Sequence, residues 1–120
     1  MKKKVLLIDP TGSHISGLIK IKCDCEVEEA FDLFDASKKT AQANYDFLIV
    51  DPYRFGAEHL RDWLEKMRLG SEKRKIVLLS SYKEKEMFQH SPIKPNLHFD
   101  YFVFNDTGAW DDLRSIIKKN

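Results

Sequence analysis

The sequence predicts a doubly wound α/β domain on a five-stranded parallel sheet, and three observations carry that expectation. Five short apolar runs recur along the 120 residues: Val5 to Ile8, Val27 to Ala30, Phe47 to Val50, Ile76 to Leu79 and Tyr101 to Phe104. Three of them, Val-Leu-Leu-Ile, Phe-Leu-Ile-Val and Ile-Val-Leu-Leu, lack polar alternation, as a central strand covered by helices on both faces requires. Helical patterns fill the intervals, and strands alternating with helices build parallel β-α units.

The elements follow in order. Val5 to Ile8 ends at Asp9-Pro10, and Ile15, Leu18 and Ile19 mark a short first helix. After Val27 to Ala30 comes a weakly patterned second helix from about Leu33 to Ala43. Phe47 to Val50 runs into Asp51; beyond it Ala57, Leu60, Leu64 and Met67, with Trp63 alongside, make one apolar stripe that Gly70 terminates. Ile76 to Leu79 leads to Ser80 and Ser81. A fourth helical segment, from about Lys83 to Gln89, stops before Pro92, and His90 to His98 is the one long irregular connection. Beyond Tyr101 to Phe104, Thr107 is the expected N-cap of a last helix whose inner face carries Trp110, Leu113, Ile116 and Ile117.

At this length the chain fits one domain, residues 1–120, able to bury a continuous core without disulfides or metal. Lys and Arg total 20 against 19 for Asp and Glu, so the overall field selects neither nucleic acid nor an anionic membrane. No apolar run approaches the roughly 20 residues that span a bilayer. Lys2, Lys3 and Lys4 look like the start of a signal peptide, but the apolar stretch after them ends at Asp9. The expected compartment is the cytoplasm. Cys23 and Cys25, the two cysteines, cannot complete a tetrahedral zinc site and are expected to be reduced thiols, either packed or exposed in a loop.

Open parallel sheets bind or react at the carboxyl ends of their strands. Asp9, Asp51, Ser80 and Ser81 all fall at that edge. The runs Val-Leu-Leu-Ile-Asp9, Tyr-Asp-Phe-Leu-Ile-Val-Asp51, Gly56-Ala-Glu-His-Leu60, Ile-Val-Leu-Leu-Ser80-Ser81 and Asp100-Tyr101-Phe-Val resemble, over the whole chain, the receiver domain of bacterial response regulators. The resemblance implies a flavodoxin-like topology with strand order 2-1-3-4-5 and a role in two-component signalling. It makes Asp51 the phospho-acceptor, Ser80 the hydroxyl that hydrogen-bonds the phosphoryl group and Tyr101 the switch aromatic. It also implies Mg²⁺, held by Asp9, Asp51 and the backbone carbonyl of Tyr53, with a lysine beside it to neutralise the phosphoryl oxygens. The implied partner is a histidine kinase or another signalling protein, with a homodimer face made by the fourth helix, fifth strand and fifth helix.

The sequence departs from that pattern at three places. Pro10 replaces the second acid of strand one and has no carboxylate for a hard cation. Phe104 stands at the lysine position and Asn105 at the proline after it. The loop Pro52-Tyr53-Arg54-Phe55 is shorter than the family's. These losses predict a pseudo-receiver, not an enzyme, that acts by protein association with phosphorylation at Asp51 weak or absent. Arg54 or Lys83 could take the place of the missing lysine.

Two other functional readings stand beside it: a working Mg²⁺-dependent phospho-accepting receiver, and a small-molecule binder. The latter rests on Asp9-Pro-Thr11-Gly12-Ser13 as a phosphate-cradling loop of the flavin type and on His14-Ile-Ser-Gly17, which brushes the His-x-x-Gly part of a cobalamin motif. A purely structural reading makes Asp9 and Asp51 loop-starting residues, Ser80 a turn residue with no histidine to activate it, and Phe99, Tyr101, Phe102 and Phe104 core.

Overall fold

The computed structural model describes residues 2–10, 15–70, 74–81, 86 and 97–120. In chain order these form β1 (Lys4–Ile8), α1 (Ile15–Cys23), β2 (Glu26–Ala30), α2 (Leu33–Gln42), β3 (Phe47–Val50), α3 (Ala57–Gly70), β4 (Lys75–Ser80), β5 (Tyr101–Phe104) and α4 (Ala109–Lys119). The sheet is parallel throughout, in the order β2-β1-β3-β4-β5. Apart from Glu86, the expected helical segment from Lys83 to Gln89, most of the irregular connection, and the loop residues Thr11, Gly12, Ser13 and His14 lie outside the described residues.

The continuous apolar runs are explained by burial on both faces. Along β1, β3 and β4 successive side chains alternate between two cores, because a strand has a period of two. Val5, Leu7, Phe47, Ile49, Val77 and Leu79 pack with Ile19 of α1 and with Leu113 and Ile117 of α4. Leu6, Ile8, Leu48, Val50, Ile76 and Leu78 pack with Leu33 and Ala36 of α2 and with Leu60 and Leu64 of α3. In β5 the same alternation sends Tyr101 and Val103 to the first core and Phe102 to the second, where its ring lies 6.2 Å from that of Phe99. The edge strand β2 differs: Glu26, Glu28 and Glu29 are exposed, and such charges discourage further strand addition.

Cys23 closes α1 and Cys25 precedes β2, with Asp24 between them in the left-handed region at φ 49°. Aspartate tolerates that conformation better than most residues, which lets the helix stop within one residue. Both thiols are free and buried in the same core. Burial pushes both up, Cys25 to about 11, so neither is a reactive thiolate at neutral pH. They serve packing.

Two helix starts are set by aspartates. Asp32 caps α2: its side chain accepts from the Asp35 amide at 2.7 Å, while the Asp35 carboxylate accepts from the Phe31 amide at 2.9 Å. Asp32→Ala is expected to remove about 1 kcal/mol of stability, read from the urea midpoint. At α4 the expected cap is corrected. The residue before the first turn is Gly108, not Thr107. The chain bends already at Asp106, whose amide donates to the Phe104 carbonyl at 2.9 Å, so the first free amides meet Asp106 instead. Its Oδ1 accepts from Gly108 at 2.9 Å and its carbonyl from Ala109 at 3.2 Å.

One buried tyrosine gives the fold an alkaline signature. Tyr45 donates its hydroxyl to Glu28 Oε2 at 2.5 Å. Burial, and then this carboxylate, raise the phenol to about 12, while the bond draws Glu28 below the usual carboxylate range. A raised phenol favours folding below its unfolded value near 10, and that contribution is lost as pH climbs through about 12. The lowered Glu28 contributes above its unfolded value and is lost as pH falls. Tyr45 is therefore expected to ionise late in a spectroscopic pH titration, and Tyr45→Phe removes that late step.

Candidate functional site

The carboxyl edge of the sheet is built by register. Ile8 pairs with Val50 and Val50 with Leu78, so Asp9 and Asp51, one residue further on, stand level on neighbouring central strands about 4.8 Å apart in backbone. The Asp9 amide donates to the Ala30 carbonyl at 3.0 Å, which extends the β1–β2 ladder past the last apolar residue.

Asp51 is half-buried at the start of a tight turn. Pro52, which has no amide to satisfy, is buried behind it. The Tyr53 amide donates to Asp51 Oδ1 at 2.9 Å, and Arg54 Nε lies 3.6 Å from Oδ2. The Arg54 amide also donates to the Asp51 carbonyl at 3.2 Å. Both carboxylate oxygens thus meet groups two and three residues along the chain, in an Asx-type turn. Burial lifts the Asp51 acid above the ordinary carboxylate range; the Tyr53 amide and the Arg54 guanidinium pull it down, and the charge of Asp9 pushes it up again.

The remaining expected site residues fall at different depths. Ser80 is fully buried, and its carbonyl accepts from the Asn105 amide at 2.6 Å. Within β4 it follows the pleat of Ile76 and Leu78 and is in register with Phe104, while Ser81 is the exposed hydroxyl at this edge. Tyr101 pairs with Val77, three residues back from Phe104 and so about 10 Å down the strand. Its hydroxyl accepts from Asn120 Nδ2 at 3.0 Å, against the end of α4. Phe104, half-buried at the end of β5, brings a ring and no charge to the edge. Lys83 lies outside the described residues.

One contact at this edge has no signal in the sequence. The Tyr53 hydroxyl donates to the Glu86 carbonyl at 3.1 Å and so ties the turn after Asp51 to the chain beyond β4. Tyr53 is read from sequence only for its backbone carbonyl.

The donor set suits a divalent cation only in part. Asp9, Asp51 and the Tyr53 carbonyl are hard oxygen donors of the kind Mg²⁺ takes with several waters. Pro10 adds nothing, Arg54 already sits on Asp51, and among the described residues no group of three or more His, Cys, Asp or Glu converges. Chemically, the edge offers one half-buried carboxylate, a second beside it and a guanidinium in contact. That arrangement can accept an electrophile or hold a cation, but it lacks a lysine from β5.

No family model and no curated protein matches the chain. Solved structures do. The chain is similar to the response regulator TrrA of Thermotoga maritima in complex with Mg²⁺-BeF, at 24% identity and TM-score 0.71, covering 98% of this chain and 97% of that one. TrrA in complex with the histidine kinase ThkA matches at 25% identity and TM-score 0.71, over 98% and 97%. A second response regulator of Thermotoga maritima matches at 21% identity and TM-score 0.75, over 99% and 97%. An atypical orphan response regulator, described with a phosphorylation-independent regulatory mechanism, matches at 17% identity and TM-score 0.71, over 97% and 92%. With the strand order, the parallel ladders and the two-sided helical cover already in place, the chain has the fold of a response-regulator receiver domain.

Proposed function

We propose that this domain is a signalling module of the two-component type that acts through association with other proteins, and in which phosphorylation at Asp51 is weak or absent. The observation that carries the reading is the state of Asp51. Both its oxygens are engaged by its own turn, and the strand-end position that faces Ser80 in register is Phe104. A phosphoryl group arriving there would meet no β5 cation, and electrostatic stabilisation of transferred charge is usually the largest catalytic contribution. Asp9, Asp51 and the Tyr53 carbonyl would hold Mg²⁺, which when bound would supply Lewis-acid neutralisation of the phosphoryl oxygens, and the Arg54 guanidinium competes for the same Asp51 carboxylate.

The partner class is a histidine kinase or another signalling protein. The TrrA–ThkA complex and the phosphorylation-independent orphan regulator are precedents for the two modes of partnership. The chain itself is proposed to pair with a second copy through β5, α4 and the expected fourth helix at 83–89, which sedimentation at increasing concentration tests. The proposed compartment is the cytoplasm; among the described residues no helix is long and apolar enough to cross a membrane.

A second reading is favoured by one observation, the 3.6 Å approach of Arg54 to Asp51. In it Arg54 supplies, from the turn after β3, the positive charge that β5 lacks. An amide NMR titration with Mg²⁺ and then beryllofluoride separates the two. For the pseudo-receiver, shifts at Asp9, Asp51 and Ser80 fail to saturate at millimolar levels, and Arg54→Ala tightens Mg²⁺ by freeing Asp51 Oδ2. Saturation with movement of Tyr101, abolished by Arg54→Ala, overturns that reading in favour of the second.

A further inference from the structure

At the opposite end of the sheet from Asp51, the last turns of α3, the start of β4 and the lead-in to β5 flank an open cavity of about 800 Å³. Its basic wall is Arg68, Arg74 and His98; its apolar wall is Leu69, Leu97 and Phe99. Arg74 is the unusual member. Its Nε is buried with no hydrogen-bond partner among the described residues, and its Nη1 rests 3.5 Å from the Met67 thioether, a weak acceptor. Arg68 donates from Nη1 to His98 Nδ1 at 3.0 Å, which leaves its other N–H groups for a second acceptor.

Two acids, Glu65 and Asp100, also line the cavity, and among the described residues neither forms an ion pair with these cations. Asp100 Oδ2 accepts from the Ile76 amide at 2.8 Å, while the Asp100 amide donates to the Ile76 carbonyl at 2.9 Å, so this residue is committed to the start of β4. Glu65 lines the wall, but among the described residues the ion pairs within 4.0 Å involve neither Arg68 nor Arg74. Arg74 is only part-buried, but its Nε is cut off from water, and native folds rarely leave a buried N–H without an acceptor.

We infer that this cavity binds a small organic oxyanion, a carboxylate or phosphate joined to an apolar group. Arg74 presents its planar fork to the oxyanion and Arg68 a second guanidinium, a geometry suited to two-point recognition. Leu97 and Phe99 take the apolar part. The site lies at the amino ends of β4 and β5 and shares no residue with the Asp51 edge, so it is independent of phosphorylation chemistry.

The test is an amide NMR titration of the full chain with phenyl phosphate, benzoate and inorganic phosphate in turn, at constant ionic strength. Saturable shifts at residues 68, 74 and 97–99 are expected for both organic anions, and phenyl phosphate against benzoate tells which oxyanion is preferred. Arg74→Ala is expected to weaken binding about tenfold or more, as the loss of a charge-assisted bond does. Arg74→Lys recovers only part, and Asp51→Asn changes nothing. Shifts that do not saturate, inorganic phosphate binding as tightly as the organic anions, or an affinity unchanged by Arg74→Ala would each overturn the inference. Should Arg74→Ala fail to fold, Arg68→Ala and Arg74→Lys carry the same comparison.

Discussion

Phe104→Lys raises the beryllofluoride affinity of this chain about tenfold or more in the presence of Mg²⁺. The expectation follows from what the carboxyl edge lacks. Phe104 is the last residue of β5, in register with Ser80, and a lysine there can lay its stem along the strand end and bring its ammonium to the edge. Removing a single stabilising donor from a developing oxyanion costs other enzymes on the order of a hundredfold, so a tenfold gain from restoring one cation is a conservative figure. The substitution removes a half-buried ring at the edge, not a member of either central core, so the fold is expected to survive. The measurement is a titration followed by NMR in the parent and the variant. Saturating binding of equal affinity in the two would mean that Arg54 already supplies all the charge the site can use, and the pseudo-receiver reading would fail with it.

Phe47→Ala is expected to have the largest effect on stability, a loss of about 3–5 kcal/mol. Phe47 is 1% exposed, on the central strand β3, with its ring in the core shared with α1 and α4. Truncation there removes apolar contact and leaves a cavity that flanking strands, held by ladders on both sides, cannot close. Against a total stability of 5–15 kcal/mol for an ordinary domain, about that much loss leaves a marginal fold. Urea unfolding should show a lower midpoint with an unchanged slope. A loss near that of Asp32→Ala, about 1 kcal/mol, would mean that the core relaxes around the void far more than a strand in mid-sheet should allow. Leu69→Ala is the contrast: at 82% exposure it should leave the midpoint almost unmoved.

Much of this architecture is legible from local pattern because the underlying physics is local. Val-Leu-Leu-Ile, Phe-Leu-Ile-Val and Ile-Val-Leu-Leu are apolar at every position, which only two-sided burial tolerates, and all three are central strands. The stripe of Leu60, Trp63 and Leu64 marks α3 for the same reason, since helical periodicity and burial coincide there. Even Asp9 and Asp51 could be placed side by side from sequence, because each ends an apolar run and adjoining parallel strands bring such ends together.

The parts that were not legible depend on partners far away in sequence or on exact backbone geometry. Thr107 looks like a cap, but the bend at Asp106 moves the helix start by one residue. Ser80 and Ser81 are indistinguishable as letters; the pleat of β4 buries the first and exposes the second. Arg54 and Lys83 were equal as replacements for the missing lysine, and the turn after Asp51 brings Arg54 to 3.6 Å. Arg68, Arg74 and His98 are spread over thirty residues with no motif between them, and they share a cavity only because α3, β4 and β5 meet at one end of the sheet. By itself, then, the sequence determined the strands, the layers and the edge where Asp51 stands, since hydrophobic periodicity acts between near neighbours. Which hydroxyl is open and which cations share a cavity without an ion pair among the described residues were decided by tertiary structure alone, because each depends on the register and packing of segments that are distant in the chain.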